Sequence, residues 1–223
     1  MNTATHVRIT TEALRDRFQP GSLPLIIRAN LAQDRLTNLV GHPEIHFDDS
    51  AFVASERYVE QQRQLAVRAL SHQDRRGALH AFGRLLHGRQ DFYAHSNWAA
   101  RWVEQQGGLA QCRPEDIDLC PDPRGVPGLI SGTGSAWHFL AVHVPLYGRL
   151  HRRFFLPANS HEAMNLDDSS RGPLFPFAVA AAIKHTRLEL ELLLALIDKT
   201  AGADAVALFL GKPPTEPDAK RNA

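Results

Sequence analysis

The sequence has little cysteine and no long apolar run. Its two cysteines, Cys112 and Cys120, allow one disulfide across a loop or two free thiols, and so low a number favours free thiols in a reducing compartment. A run of roughly 18 apolar residues is absent, which argues against a membrane-spanning helix. The first stretch, MNTATHVRITTEALRDRF, has no apolar signal core, so we expect a cytoplasmic protein unless export needs no signal peptide.

An excess of charge of one sign is also absent. The 25 basic and 24 acidic residues give a formal net charge of +1. This balance provides no overall attraction to nucleic acid or to an anionic membrane, although it leaves a local basic patch open. Hydrophobic residues make up 43% of the chain, enough for a large core. Histidine is the residue that stands out, with 12 copies, and the positions of these histidines must decide what they mean.

Helical periodicity dominates the chain, and no alternating β pattern or internal repeat accompanies it. We therefore predict an all-α fold, a single-domain multi-helix bundle over residues 1–211 with a disordered polar tail over 212–223. The predicted helices cover residues 8–19, 23–41, 51–72, 74–105, 174–200 and 203–210. Residues 107–134 are rich in Pro, Gly and Asp, which predicts a long ordered loop or lid. Residues 136–152 are ambiguous and are expected to be helical in part.

The stretch GRLLHGRQDFYAHSNW, residues 83–98, spaces His87, Asp91 and His95 four residues apart. Each step of four residues advances about 40° around a helix, so the three side chains fall within a sector of about 80°. Imidazole nitrogen and carboxylate oxygen are ligands that zinc takes from proteins. The same spacing is also met by a His–Asp hydrogen bond on a helix, but the apolar neighbours indicate burial. A buried polar cluster of this kind is costly unless something such as a cation satisfies it.

Further candidate ligands occur in other segments. They are His6 before the first helix, Asp34 on the second with Asn30 one turn earlier, His46 and Asp48 in PEIHFDD, His161 and Asp167 in SHEAMNLDDSS, and His185 with Glu189 on the last long helix. Facing helices of a bundle can bring such side chains together around metal ions. Each has an ordinary alternative when taken alone: His6 as an exposed terminal residue, Asp34 as an ion-pair partner of a neighbouring arginine, Asp48 as a helix cap, and Glu189 as a solvated charge.

The central motif resembles the signature of the Het-C-like proteins, a branch of the superfamily of zinc-dependent phospholipases C and fungal-type single-strand nucleases. The segments THVRITTEAL, RANLAQD, HFDD, HEAMNLDDSS and AIKHTRLE follow in an order similar to that family's. The resemblance implies an all-α fold of the zinc phospholipase C type with up to three Zn²⁺ ions in its core. It also implies a link to cell death or incompatibility.

The resemblance assigns metal ligands as follows: His6 on the first helix, Asp34 and His46 sharing an ion with His87 and Asp91, Asp91 at the centre of the cluster, and His95 with His185 and Glu189 at a further ion. It implies a phospholipase C-like phosphodiester hydrolase in which Asp34 or Asp91 orients the attacking water and zinc lowers the pKa of that water. The expected substrate is a phospholipid or another phosphodiester, with peripheral membrane contact.

Two alternatives stay open at this point. The first is a single-strand nuclease of the same fold, which the balanced charge disfavours, because tracking phosphates needs clustered Lys and Arg. The second is a non-catalytic, metal-stabilised protein that binds a membrane or a partner. Metal analysis and a substrate screen separate these readings.

Overall fold

The computed structural model describes residues 1–39, 41–120, 122–134, 144 and 155–213. Within these residues the fold is all-α, as predicted: helices make up the regular structure, and the described part of the chain has only isolated β-bridges and no strand. The helices are α1 (Thr3–Leu14), α2 (Ser22–Leu31), α3 (Leu36–Leu39), α4 (Pro43–His46), α5 (Phe52–Ser71), α6 (Arg75–His95), α7 (Trp98–Gln105), α8 (His161–Met164), α9 (Phe175–Ala201) and α10 (Ala203–Leu210).

Helix α1 begins earlier than the prediction of 8–19, because its cap lies ahead of its apolar residues. The side chain of Asn2 accepts a hydrogen bond from the Thr5 N–H at 2.9 Å and satisfies one of the free amides of the first turn. His6 therefore lies inside α1 rather than before it, and only 1% of the residue is exposed.

The predicted helix over 23–41 is broken after α2. A 3-10 turn, Ala32–Asp34, follows α2, and Arg35 then takes an extended backbone with φ −70° and ψ 146°. The apolar periodicity of the sequence continues past the end of α2, so it predicted one continuous helix where the structure has a break. The break places Asp34 at the end of a turn instead of within a helix.

Helix α6 is the central element of the fold. Asp74 caps it by accepting a hydrogen bond from the Gly77 N–H at 2.8 Å, and most of its residues beyond Gly77 are buried. Helices α2, α4, α5 and α9 pack around it. The predicted helix over 74–105 is divided here, because Ser96 is extended and pairs with Ser131 before α7 begins. The stripe of His87, Asp91 and His95 therefore lies in the C-terminal half of a buried helix.

Two glycines let neighbouring segments approach α6 closely. A Cβ atom at Gly83 would lie 2.4 Å from the Ile26 carbonyl oxygen of α2, and one at Gly88 would lie 2.8 Å from the Ile45 carbonyl oxygen of α4. Both distances are too short for any larger residue. These contacts bring the end of α2 and the end of α4 against the middle of α6, where His87 lies.

The helices predicted for 51–72, 174–200 and 203–210 are confirmed as α5, α9 and α10. The described residues 107–120 and 122–134 are irregular, as predicted, with 3-10 turns at Leu109–Gln111, Pro114–Asp116 and Pro123–Gly125. Cys112 and Cys120 are free thiols. No helix in the described part of the chain is long and apolar enough to cross a membrane. Residues 136–152, apart from 144, and the tail after 213 lie outside the described residues, and the domain limits of 1–211 stay a prediction.

Candidate metal centre

Four of the predicted ligands converge on one point between α2, α4 and α6. They are Asp34, His46, His87 and Asp91, and one ligand atom from each lies within 4.8 Å of the others. Nε2 of His87 is 2.9 Å from Oδ2 of Asp91, 3.1 Å from Nδ1 of His46 and 3.5 Å from Oδ1 of Asp34. Nδ1 of His46 is 3.0 Å from the same Asp91 oxygen. The side chains of the last three residues are almost fully buried, while Asp34 is 36% exposed.

These separations fit a tetrahedral ion. Zinc bonds of about 2.0–2.2 Å place neighbouring ligand atoms roughly 3.3–3.6 Å apart in a tetrahedron. The four separations above are 2.9, 3.0, 3.1 and 3.5 Å, so a bound ion would move three of these pairs slightly apart. Hydrogen bonds have similar lengths, but the nitrogen Nε2 of His87 carries one proton or one lone pair and faces three such atoms. One shared cation satisfies all of them together.

Neighbouring amides orient two of the imidazoles. Nδ1–H of His87 donates to the side-chain oxygen of Asn30 at 3.4 Å, which turns the Nε2 lone pair towards Asp34, His46 and Asp91. The side-chain oxygen of Gln90 lies 2.7 Å from Nδ1 of His6 and also accepts from Asn30. Asn30 and Gln90 therefore connect the His6 and His87 rings, which stack with centroids 4.5 Å apart.

Electrostatics favours the metal-binding forms of His87 and Asp91 and opposes that of Asp34. Burial lowers the pKa of His87 to about 3, so its imidazole is neutral. Burial opposes ionisation of Asp91, but the Met1 nitrogen and the surrounding imidazoles hold the pKa of Asp91 well below its usual range. Burial, together with the charge of Asp91, raises the pKa of Asp34. Neutral imidazole and carboxylate are the protonation states that bind metal.

The second oxygen of Asp91 faces other groups. Oδ1 lies 2.5 Å from the backbone nitrogen of Met1, 3.2 Å from Nε2 of His6 and 3.8 Å from Nε2 of His95. Nε2 of His6 is buried and makes no hydrogen bond of regular geometry. His6 is therefore adjacent to the four-residue cluster but outside it, and its role as a ligand stays a prediction.

The predicted grouping of His185 and Glu189 with His95 was wrong. Nδ1 of His185 lies 2.7 Å from the Tyr93 hydroxyl, and Glu189 pairs with Arg89 at 2.6 Å and with Arg63 at 2.7 Å. Two guanidinium groups neutralise the Glu189 carboxylate, so it has no need of a metal ion. His95 instead lies against Asp48 and His161.

Sequence reasoning undervalued Asp48, His161 and Asp167, which it noted but did not assign, and it missed Gln90. Asp48 lies two residues after His46, a spacing that could have indicated two ligands from one short segment. Gln90 lies next to Asp91, and its buried amide has no local signal in the sequence, because its partners come from α1, α2 and α9. Such contacts depend on how the helices pack.

Comparison with known proteins places the first half of the chain beside a different family from the one expected. Residues 2–107 match the model of the VWA7 N-terminal domain. Over 85 residues the chain is 40% identical to von Willebrand factor A domain-containing protein 7 of Rattus norvegicus and 42% identical to that of Mus musculus, and over 98 residues it is 41% identical to that of Homo sapiens. These matches cover 37–40% of this chain and only 9–11% of the relatives. No solved structure matches.

These matches overturn the Het-C resemblance, and of the fold that it implied only the all-α class is confirmed. The matched stretch contains Asp34, His46, His87, Asp91 and His95 and is similar to the VWA7 N-terminal domain, not to a Het-C or zinc phospholipase C family. The prediction of a phosphodiester hydrolase with catalytic Asp34 and Asp91 was therefore wrong, together with its nuclease and cell-death alternatives. The geometry of the candidate metal centre does not depend on that resemblance. The expected phospholipid contact stays an untested prediction.

Proposed function

We propose that this protein is a metal-binding helical domain in which Asp34, His46, His87 and Asp91 hold one Zn²⁺ ion. The observation that carries the proposal is the convergence of four ligand atoms within 4.8 Å of one another, with Nε2 of His87 2.9–3.5 Å from the other three, close to the edge lengths of a zinc tetrahedron. His6 and His95 lie at the other oxygen of Asp91. Both residues are proposed as ligands of further ions, up to three ions in all.

The types of ligand favour zinc. Two imidazole nitrogens suit a first-row transition ion better than Mg²⁺ or Ca²⁺, which prefer oxygen ligands. Two carboxylates neutralise the charge of a divalent ion in a buried setting. Asn30 supplies the outer hydrogen bond that ligating histidines usually have.

The arrangement favours a structural role for this ion. Four protein ligands fill a tetrahedral zinc site, whereas catalytic zinc sites keep a position open. The ligands come from the turn after α2, from α4 and from α6, so the ion would join three segments that are separate in sequence. Metal binding of this kind adds to the free energy of folding, because the unfolded chain has no assembled site.

The test is metal analysis of untagged protein, dialysed against a defined free Zn²⁺ concentration. We expect wild-type protein to retain zinc. The folded variants His87→Gln and Asp91→Asn should each bind at least one zinc ion fewer than wild type. His72→Gln is the matched control, because His72 is exposed at the end of α5. A wild-type protein that binds no zinc at micromolar free metal, or variants that bind as much as wild type, would contradict the proposal.

A further inference from the structure

A second group of ligand-type side chains lies beside the first and shares no residue with it. Asp48, His95 and His161 each offer one ligand atom, and these atoms lie within 4.8 Å of one another. Oδ1 of Asp48 is 3.2 Å from Nδ1 of His95 and 3.0 Å from Nδ1 of His161. The two rings stand edge to face, with centroids 4.3 Å apart. The carboxylate therefore lies between two imidazoles from distant parts of the chain.

The backbone around Gly132 builds this group. The Gly132 N–H donates to the His95 carbonyl at 2.9 Å, and the Gly132 carbonyl accepts from the Asp49 N–H at 2.9 Å. Thr133 exchanges backbone hydrogen bonds with Asn159 and His161 at 2.8 and 3.0 Å. A Cβ at position 132 would lie 2.5 Å from Cα of His161. One short segment thus fastens the backbone beside each of the three side chains, so their proximity is fixed by hydrogen bonds.

Burial lowers the pKa of His95, but the carboxylates that face its imidazole raise this pKa to about 10, so a metal ion bound here takes the place of a proton. The side chain of Asp48 is 14% exposed, and that of His95 is 4% exposed. Asp167 adds a second carboxylate, whose buried Oδ1 lies 3.4 Å from Nε2 of His95 and 3.1 Å from the Met1 nitrogen. Among the described residues no lysine or arginine pairs with Asp48 or Asp167, so the Met1 amino group and the histidines are the groups that face these two carboxylates.

We propose that Asp48, His95 and His161 form a second metal site that binds a divalent first-row transition-metal ion and leaves a coordination position open. Two imidazoles and one carboxylate are a recurrent ligand set for zinc and for non-haem iron sites with exchangeable ligands. The side chain of His161 is 25% exposed, so water or another small ligand has a route to the open position. The first site, with four protein ligands, is closed by comparison.

Equilibrium binding of Co²⁺ and of Zn²⁺ to the untagged, metal-free 223-residue chain tests the inference. Bound metal is counted by mass spectrometry after dialysis, and the d–d absorption of bound Co²⁺ reports its ligand set. Asp48→Asn and His161→Gln each should lower the count by one ion, and folding of each variant is checked by circular dichroism. Asp198→Asn and His72→Gln are the matched controls, because both residues are exposed and remote from the group in sequence.

The outcomes separate this site from the first. Loss of one ion in Asp48→Asn or His161→Gln, with a different ion lost in His87→Gln, supports both proposals. A single bound ion that only His87→Gln removes overturns the second site and leaves the first. A single ion that only Asp48→Asn and His161→Gln remove supports the second site and overturns the first. The variants come from different segments, so misfolding of one leaves the other to decide.

Discussion

At the scale of single residues, the surroundings of a carboxylate decide its role. Asp91 and Glu189 each lie four residues after a histidine on a buried helix, in the segments HGRQD and HTRLE. Arg89 and Arg63 approach Glu189, while imidazoles approach Asp91. Glu189 is already paired with two guanidinium groups and gains little from a cation, whereas Asp91 pairs with the Met1 amino group through Oδ1 and keeps Oδ2 among imidazoles, where a cation can bind.

The pairing of Glu189 leads to a prediction that separates stability from metal content. Glu189→Gln should lower the free energy of unfolding by about 1–3 kcal/mol, because the buried Arg89 loses one charged partner but keeps its two hydrogen bonds to Glu56. It should leave the zinc count unchanged. Denaturant unfolding and metal analysis measure the two effects. The control is Glu191→Gln on the same helix, whose partner Arg17 is exposed. If Glu189→Gln lost an ion while folded, our assignment of Glu189 to the ion-pair network would be wrong.

The contact between Asn30 and His87 gives a second prediction at this scale. Asn30→Ala should weaken zinc binding about 10–100-fold, because the outer hydrogen bond fixes the tautomer and orientation of the ligating ring. Competition with a chromophoric chelator measures the change. Gln64→Ala removes an exposed amide on α5 and should leave the affinity as in wild type. An unchanged affinity for Asn30→Ala would mean that His87 is held by packing alone.

At the scale of elements, the site exists because α2 and α4 lie unusually close to α6. Gly83 and Gly88 permit these approaches, and the break after α2 directs Asp34 towards the same place. The spacing of ligands within α6 would not produce a four-ligand site if α2 and α4 lay further from α6 by the width of a side chain.

Substitution of Gly83 tests this dependence. Gly83→Ala forces a Cβ against the Ile26 carbonyl, so we expect a loss of about 1–3 kcal/mol in stability, as for other overpacked contacts. Zinc affinity should fall as well, because α2 carries Asn30 and leads to Asp34. Gly125→Ala, at a position with open space around it, is the control. A destabilised Gly83→Ala protein that binds zinc as tightly as wild type would show that the site does not need this contact.

The same elements show what the sequence could and could not predict. Helices α5, α9 and α10 follow from periodicity, and the stripe of His87 and Asp91 follows from spacing alone. The break at Arg35 and the end of α6 at Ser96 were missed, because the first is a local turn inside an apolar pattern and the second depends on pairing with Ser131. The partners of His95 were missed for the same reason. They arrive from residues 48 and 161, and only packing selects them over His185.

At the scale of the whole molecule, the first site lies within the stretch that resembles the VWA7 N-terminal domain. Part of the fold that buries this site lies outside that stretch. The four ligands fall within residues 2–107. Helix α9, which covers α6 and α1, follows that stretch, and so does His161. The first site can therefore be compared directly with the relatives, whereas the second includes a residue outside the matched region.

An ion that joins the turn after α2, α4 and α6 should act on the stability of the whole fold. At free zinc 100 times the dissociation constant, binding to the folded state alone adds about 2.7 kcal/mol, which raises the Tm of a chain of this size by roughly 5–10 °C. We therefore expect a chelator to lower the Tm of wild-type protein by that amount, and added zinc to restore it.

A variant that lacks one of the four ligands tests whether this change in Tm comes from the first site. Asp34→Asn changes the most exposed of the four ligands and leaves the core packing of α6 intact, so its protein should fold. It should also melt near the metal-free wild-type temperature and respond weakly to chelator, because the carboxylate that closes the site is gone. Differential scanning calorimetry with and without chelator provides the measurement. If zinc leaves wild-type protein with no change in Tm, the ion does not bind the folded state preferentially, and it cannot be what holds α2 and α4 against α6.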